Sequence, residues 1–131
     1  MIRGTTAQFK FKLPYPKSEL MWVTIKFWQQ GNTNPYLPIV KKLEHCDSSD
    51  DSTELYVSLT VDETMRFSEK YKGKVQLRGQ HIDDGTIFGN KIPKMFTVYQ
   101  MHDGNLDEDP IMPTPNEEGF IVLDGEAIMV S

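Results

Sequence analysis

Apolar and polar residues alternate along most of the first hundred positions, and a period of two is the mark of strands with one dry face. Residues 5–13 place Thr5, Ala7, Phe9, Phe11 and Leu13 on one side and Thr6, Gln8, Lys10 and Lys12 on the other. Pro14 and Pro16 end that strand, since neither has an N–H to give to a ladder. Across residues 19–29, Met21, Val23, Ile25 and Phe27 alternate with Trp22, Thr24, Lys26 and Trp28, so the outer face carries two tryptophans. Large aromatics exposed together are more typical of an interface than of bare surface. The plainer alternative is that they cover an edge of their own domain.

The same pattern predicts the remaining elements. GNTNP at residues 31–35 is a turn, and residues 36–43 form a third strand that Pro38 confines to a sheet edge or a bulge. Residues 54–61 alternate Leu55, Val57 and Leu59 with Tyr56, Ser58 and Thr60. Thr60 followed three positions later by Glu63 matches a capping box, which predicts a helix of about two turns over residues 61–68 with Val61 and Met65 on its buried side. Val75 and Leu77 begin a hairpin that turns at Asp83, Asp84 and Gly85 and returns over residues 92–99, with residues 86–91 as slack in the loop. About six short strands at spacings near ten residues favour a β-sandwich over a barrel.

The pattern fails after residue 101. HDGNLDEDPIMPTPNEE is rich in Asp, Pro and Asn and is expected to be extended or irregular. Beyond it, GFIVLDGEAIMVS gathers Phe120, Ile121, Val122, Leu123, Ile128, Met129 and Val130 around an Asp124–Gly125 turn. Two apolar patches behind a polar linker are expected to find a surface. It is either the free edge of their own domain, completed as by a hairpin, or the edge of a partner. The division expected is therefore a β-domain over residues 1–101 and an acidic linker with an apolar arm over residues 102–131.

Charge sharpens that division. All 14 Lys and Arg lie in residues 1–101 against 11 Asp and Glu, whereas residues 102–131 hold 8 acids and no base. A segment of one sign is either solvated or lies across a basic surface of its own or a neighbouring subunit. The net charge of −5 disfavours nucleic acid, and the lysines of the body are scattered along the sequence rather than clustered with aromatics. A length of 131 residues suits one domain, and no apolar run approaches the roughly 20 residues of a bilayer-spanning helix. The N-terminus lacks the apolar core of a secretory signal, and one cysteine, Cys46, excludes an internal disulfide.

Catalytic and metal signatures are missing. HCDSSDDST lacks the glycine of a calcium loop, and His45, His81 and His102 are too dispersed to close a zinc set with Cys46. There is no nucleophile elbow, phosphate loop or dinucleotide motif. The expectation is a protein that is not an enzyme and takes no cofactor or metal.

The order of elements over residues 54–98 is an amphipathic strand, the DETMRF helix, the strand KVQLRG, the turn DDGT and the strand KMFTV. It resembles the immunoglobulin-like N-terminal domain of upper baseplate proteins in tailed phages of Gram-positive bacteria. The opening MIRGTTAQFKFKLP, with LTVDETMRF and VQLR, is similar to a group of small prophage-encoded proteins from Firmicutes. The resemblance covers roughly the first hundred residues, and GFIVLDGEAIMVS stands where those baseplate proteins carry a large receptor-binding module. It implies an immunoglobulin-like sandwich with one short helix, in a virion structural protein of tail, baseplate or neck that is assembled in the host cytoplasm. Its partners would be other phage structural proteins and further copies of itself, with neither nucleic acid nor membrane involved. Trp22, Trp28, Phe120, Ile121, Val122 and Leu123 are the expected partner-binding residues. The rival expectation is a carbohydrate-binding module on the virion, with Trp22, Trp28 and Tyr36 as a stacking platform.

Overall fold

Ten strands and one short α-helix, with two 3-10 turns at Lys17–Glu19 and Leu43–His45, appear in the computed structural model of the protein, which describes residues 1–100 and the strands Ile121–Leu123 and Ile128–Val130. In chain order they are β1 (Ala7–Lys12), β2 (Leu20–Trp28), β3 (Ile39–Lys42), β4 (Cys46–Asp47), β5 (Glu54–Leu59), α1 (Val61–Thr64), β6 (Gly73–His81), β7 (Ile87–Gly89), β8 (Lys94–Phe96), β9 (Ile121–Leu123) and β10 (Ile128–Val130). One sheet has the order β4-β5-β1-β9 and the other β10-β7-β6-β2-β3, with β8 also pairing β6. The named pairs are antiparallel except β1 with β9, which run parallel.

The inward positions of the period-two segments meet between the sheets. Phe9, Phe11, Leu55, Val57 and Leu59 of the first sheet share one buried cluster with Val23, Ile25, Phe27, Val75 and Leu77 of the second. Phe9 stands at the centre, its ring centroid 4.9 Å from that of Phe27 and 5.2 Å from that of Phe96. Burying each such ring is worth roughly 1.5–3 kcal/mol. The arrangement is all-β and sandwich-like, as the alternation predicts.

Three local expectations need correction. The helix forms at the expected cap, with Thr60 Oγ1 accepting from Glu63 N and Glu63 Oε1 accepting from Thr60 N. It ends after one turn, however, and exposes Val61 and Met65, burying Thr64 and Phe67 instead. The Thr64 hydroxyl decides this: it donates to Thr5 O at 2.7 Å and accepts from Gly4 N at 3.1 Å, tying the helix to the chain entering β1. Met21 also leaves the core, because the register shifts between Leu20 and Trp22 and the bulge turns its side chain outward. Finally, the slack expected at residues 86–91 contains β7. The return leg is thus two strands, β7 against residues 78–80 and β8 against residues 73–75.

The edges follow the proline. The strand expected over residues 36–43 is shorter and does not contain Pro38: β3 begins after it, at Ile39, since a residue without an N–H cannot join the ladder, and it pairs only β2 and closes one side of the second sheet. On the other side, the strands expected to form an apolar arm lie on this chain's own edges: β9 beside β1 and β10 beside β7.

Where β2 leaves the sandwich, Gln29 ties it to the segment before β6. Its amide donates to Ser68 O and Tyr71 O at 2.7 and 2.8 Å and accepts from Ser68 N and Asn32 Nδ2, both at 2.7 Å. At 4% exposure no water replaces those bonds. Gln29→Leu is expected to cost about 2 kcal/mol by orphaning these groups, read as a lower midpoint in urea denaturation.

Candidate functional site

The outward positions of the second sheet form a surface unlike the rest of the domain. Register places Trp22 opposite Gln80, Thr24 between Arg78 and Lys42, Lys26 between Gln76 and Val40, and Trp28 opposite Lys74. Ile87 and Met95 extend the same face on β7 and β8. Four cations, Lys26, Lys42, Lys74 and Arg78, therefore share one face with both tryptophans of the chain, and its strand positions carry no acid. None of the four is in an ion pair among the described residues. The outer face of the first sheet differs, since there Lys10 is paired with Glu54 at 2.5 Å.

Each tryptophan is held in a defined pose. Trp22, 36% exposed, donates from Nε1 to Gln80 Oε1 at 2.8 Å, and Gln80 donates to Gly85 O. Trp28 is half-buried with the Lys26 ammonium 5.1 Å from its ring centroid. Beside Trp22, the bulge opens a shallow groove of about 510 Å³ between Met21, Lys17, Lys42, Leu43 and Glu44. Glu44 is the one acid on its rim.

At the same end, the β6–β7 turn closes on His81. Its ring is 7% exposed, stacked on Tyr15 at 4.0 Å, with Nε2 2.9 Å from Glu19 Oε1 and Nδ1 3.0 Å from Asp84 Oδ1. The hydrogen bond to Glu19 raises the His81 pKa above its ordinary 6.5; burial opposes this, and Asp84 and Asp83 reinforce it. Asp84 is lowered to about 2, first by the backbone and side chain of Thr86 and then by His81. A histidine with a raised folded pKa stabilises fully below its unfolded value and loses that contribution as pH rises through the folded one. The melting temperature of the wild type relative to His81→Gln is therefore expected to be highest near pH 6 and to shrink toward pH 9. Taking the difference between the two proteins at each pH cancels the titrating groups that do not touch His81, and the two that do, Glu19 and Asp84, are carboxylic acids, which titrate well below this window. A difference that stays flat from pH 5 to 9 would refute the assignment.

Glu19, His81 and Asp83 also offer ligand atoms within 4.8 Å of one another, the one such group among the described residues. With Nδ1 oriented by Asp84, these are the side chains that could hold a divalent cation, in competition with the proton shared between Nε2 and Glu19. Cys46 offers no comparable chemistry, since burial pushes its thiol up to about 11.

No family model matches the chain, and no curated protein matches its sequence. Among the described residues no helix is long and apolar enough to cross a membrane.

The structure brings Trp22 and Trp28 onto one face but at opposite ends of β2, six positions or about 20 Å apart. Tyr36 is 69% exposed in the loop before β3, with the Arg66 guanidinium 5.7 Å from its ring centroid. Ile121, Val122 and Leu123 supply the backbone of β9, while Phe120 lies outside the described residues. Two groupings escape sequence reading. The cations, scattered in sequence, converge because strand pairing puts their outward positions side by side. His81 meets Glu19 across 62 positions.

Proposed function

We propose that the protein is a structural component of a phage virion, of tail, baseplate or neck, with an immunoglobulin-like sandwich that docks other virion proteins through its sheet edges and C-terminal strands. The observation that carries this reading is the seating of β9 and β10. Two three-residue strands, separated from the domain by residues 101–120, add to one edge of each sheet. Strand addition is made of backbone bonds, so a neighbouring copy's identical segment satisfies the same edge. Assembly proteins use such exchange to lock many copies together. The resemblance of residues 54–98 to phage baseplate domains, with that of the opening segment to small prophage-encoded proteins, suggests the machine, and the tryptophan face offers a second contact surface.

The test is mass spectrometry of purified particles from an induced host, together with light scattering of the full chain and of a chain ending at Met101. The protein is expected in the particles, and the full chain is expected to associate where the shortened one does not. Absence from particles would overturn the virion assignment. The second reading, a carbohydrate-binding module on the virion, draws on the exposed rings of Trp22 and Tyr36. It is weakened by the cations already resting over Trp28 and Tyr36. Saturable binding on a glycan array would move it to first place.

A further inference from the structure

We infer that the basic, aromatic face of the second sheet is the docking site for the acidic, proline-rich segment Asp107–Pro115 of a second copy of this chain. The inference rests on the assembly reading and specifies one contact within it.

Charge is the first argument. The face presents Lys26, Lys42, Lys74 and Arg78 with no ion pair among the described residues, and residues 101–120 carry six acids and no base. Three of those acids are consecutive, Asp107, Glu108 and Asp109. Opposite charges of this density steer encounter and fix register.

Shape is the second argument. Pro110, Pro113 and Pro115 follow the acids directly, and a chain of that composition favours polyproline II, extended and already low in entropy. Such segments dock on aromatic-lined surfaces by laying proline rings on indoles. Residues 107–115 in that conformation span about 25 Å, at roughly 3.1 Å per residue. The row from Trp22 to Trp28 along β2 is about 20 Å long, with Lys26 in the same row and Arg78 and Lys74 in the next. Acids and prolines therefore meet cations and indoles in one pass.

The trans arrangement follows from where the segment is anchored. β9 pairs β1, so the C-terminal end of the segment is fixed at the edge of the first sheet, whereas the face belongs to the second. Within one chain, the five residues between Pro115 and Ile121 would have to connect the outer face of the second sheet to the edge of the first. From a neighbour it crosses the face once.

Because both tryptophans of the chain lie on this face, indole fluorescence reads the face selectively. The experiment uses the full chain in three forms: wild type, a face variant Lys26→Glu/Arg78→Glu, and a segment variant Asp107→Asn/Glu108→Gln/Asp109→Asn. Lys26 and Arg78 are exposed, so the face variant should fold, and an unchanged melting temperature checks that. By light scattering, the wild type is expected to associate in a concentration-dependent way, weakening roughly tenfold between about 0.05 M and 0.5 M salt. Each variant alone should associate less than the wild type. Mixing the two should restore a one-to-one contact, with a shift in tryptophan emission, because one supplies an intact segment and the other an intact face. Failure of the mixture to associate overturns the inference. So does a change in emission of the segment variant at concentrations where the wild type is monomeric, which would place the segment on its own face. Saturable quenching by an anionic glycan or single-stranded DNA that is unaffected by the segment variant also overturns it. If shortening the chain at Met101 abolishes association while the face variant does not, the assembly reading survives and this inference alone falls.

Discussion

Replacing Phe9 with alanine is expected to lower stability by about 3–5 kcal/mol, which for a domain of this size is a fall of roughly 15–30 °C in melting temperature. The size follows from position. Phe9 is fully buried, and it is the residue of the first sheet that touches Phe27 of β2 and Phe96 of β8 across the sandwich. Losing the ring opens a cavity that the surrounding strands cannot close, because Phe9 also lies in the backbone ladders to Val57 on one side and Ile121 on the other. Those ladders hold β1 in register while the side chain is missing. Phe9→Leu retains most of the volume and should cost less than half as much. The measurement is thermal and urea denaturation of the three proteins. A cost below about 1 kcal/mol for alanine would show that the site tolerates loss of packing, and that the sandwich does not depend on this contact.

Phe9 was legible in the sequence because a strand with one dry face announces its buried positions by alternation alone. Leu55, Val57, Leu59, Val23, Ile25 and Phe27 follow the same logic, and all are buried. The pattern failed where local geometry breaks the period. A bulge after Leu20 put Met21 in solvent, and a hydroxyl bonded to Thr5 chose Thr64 over Val61 as the inward residue of α1. Neither leaves a trace in hydrophobicity. Trp22 and Trp28 could be placed on one face from spacing, but the cations around them could not. Lys26, Lys42, Lys74 and Arg78 become neighbours only once β2 is known to lie between β3 and β6, and that is a statement about pairing rather than period. The same limit hid His81. Its contact with Asp84 is within reach of a turn, whereas Glu19 arrives from the start of β2.

Pairing also sets the second large effect, expected for Gly89→Ala. Gly89 opposes Arg78 on β6 and Ile128 on β10, and so sits where the second sheet passes from the domain to its C-terminal strand. A Cβ at this position would run into the Leu77 carbonyl oxygen and lie 3.1 Å from the Arg78 Cα. Both are backbone atoms of a central strand, so no side chain can swing aside. The strands must separate, at a cost of about 3 kcal/mol. Gly79→Ala is the useful comparison. Its Cβ would lie 2.5 Å from the Phe88 ring, a fully buried side chain rather than backbone, so it too should be costly but should disturb the core in place of the strand spacing. In the wild type, β7 is the seat of β10, so Gly89→Ala should loosen the C-terminal strand as well as the hairpin. Hydrogen exchange should then show Ile128–Val130 losing protection while β1 and β5 retain theirs. If the proposed strand exchange operates, that same variant should associate less, because the edge that receives a neighbour's strand is the edge that has been disturbed. Association undiminished in Gly89→Ala would place the assembly contact elsewhere, on the β9 seat or on the tryptophan face.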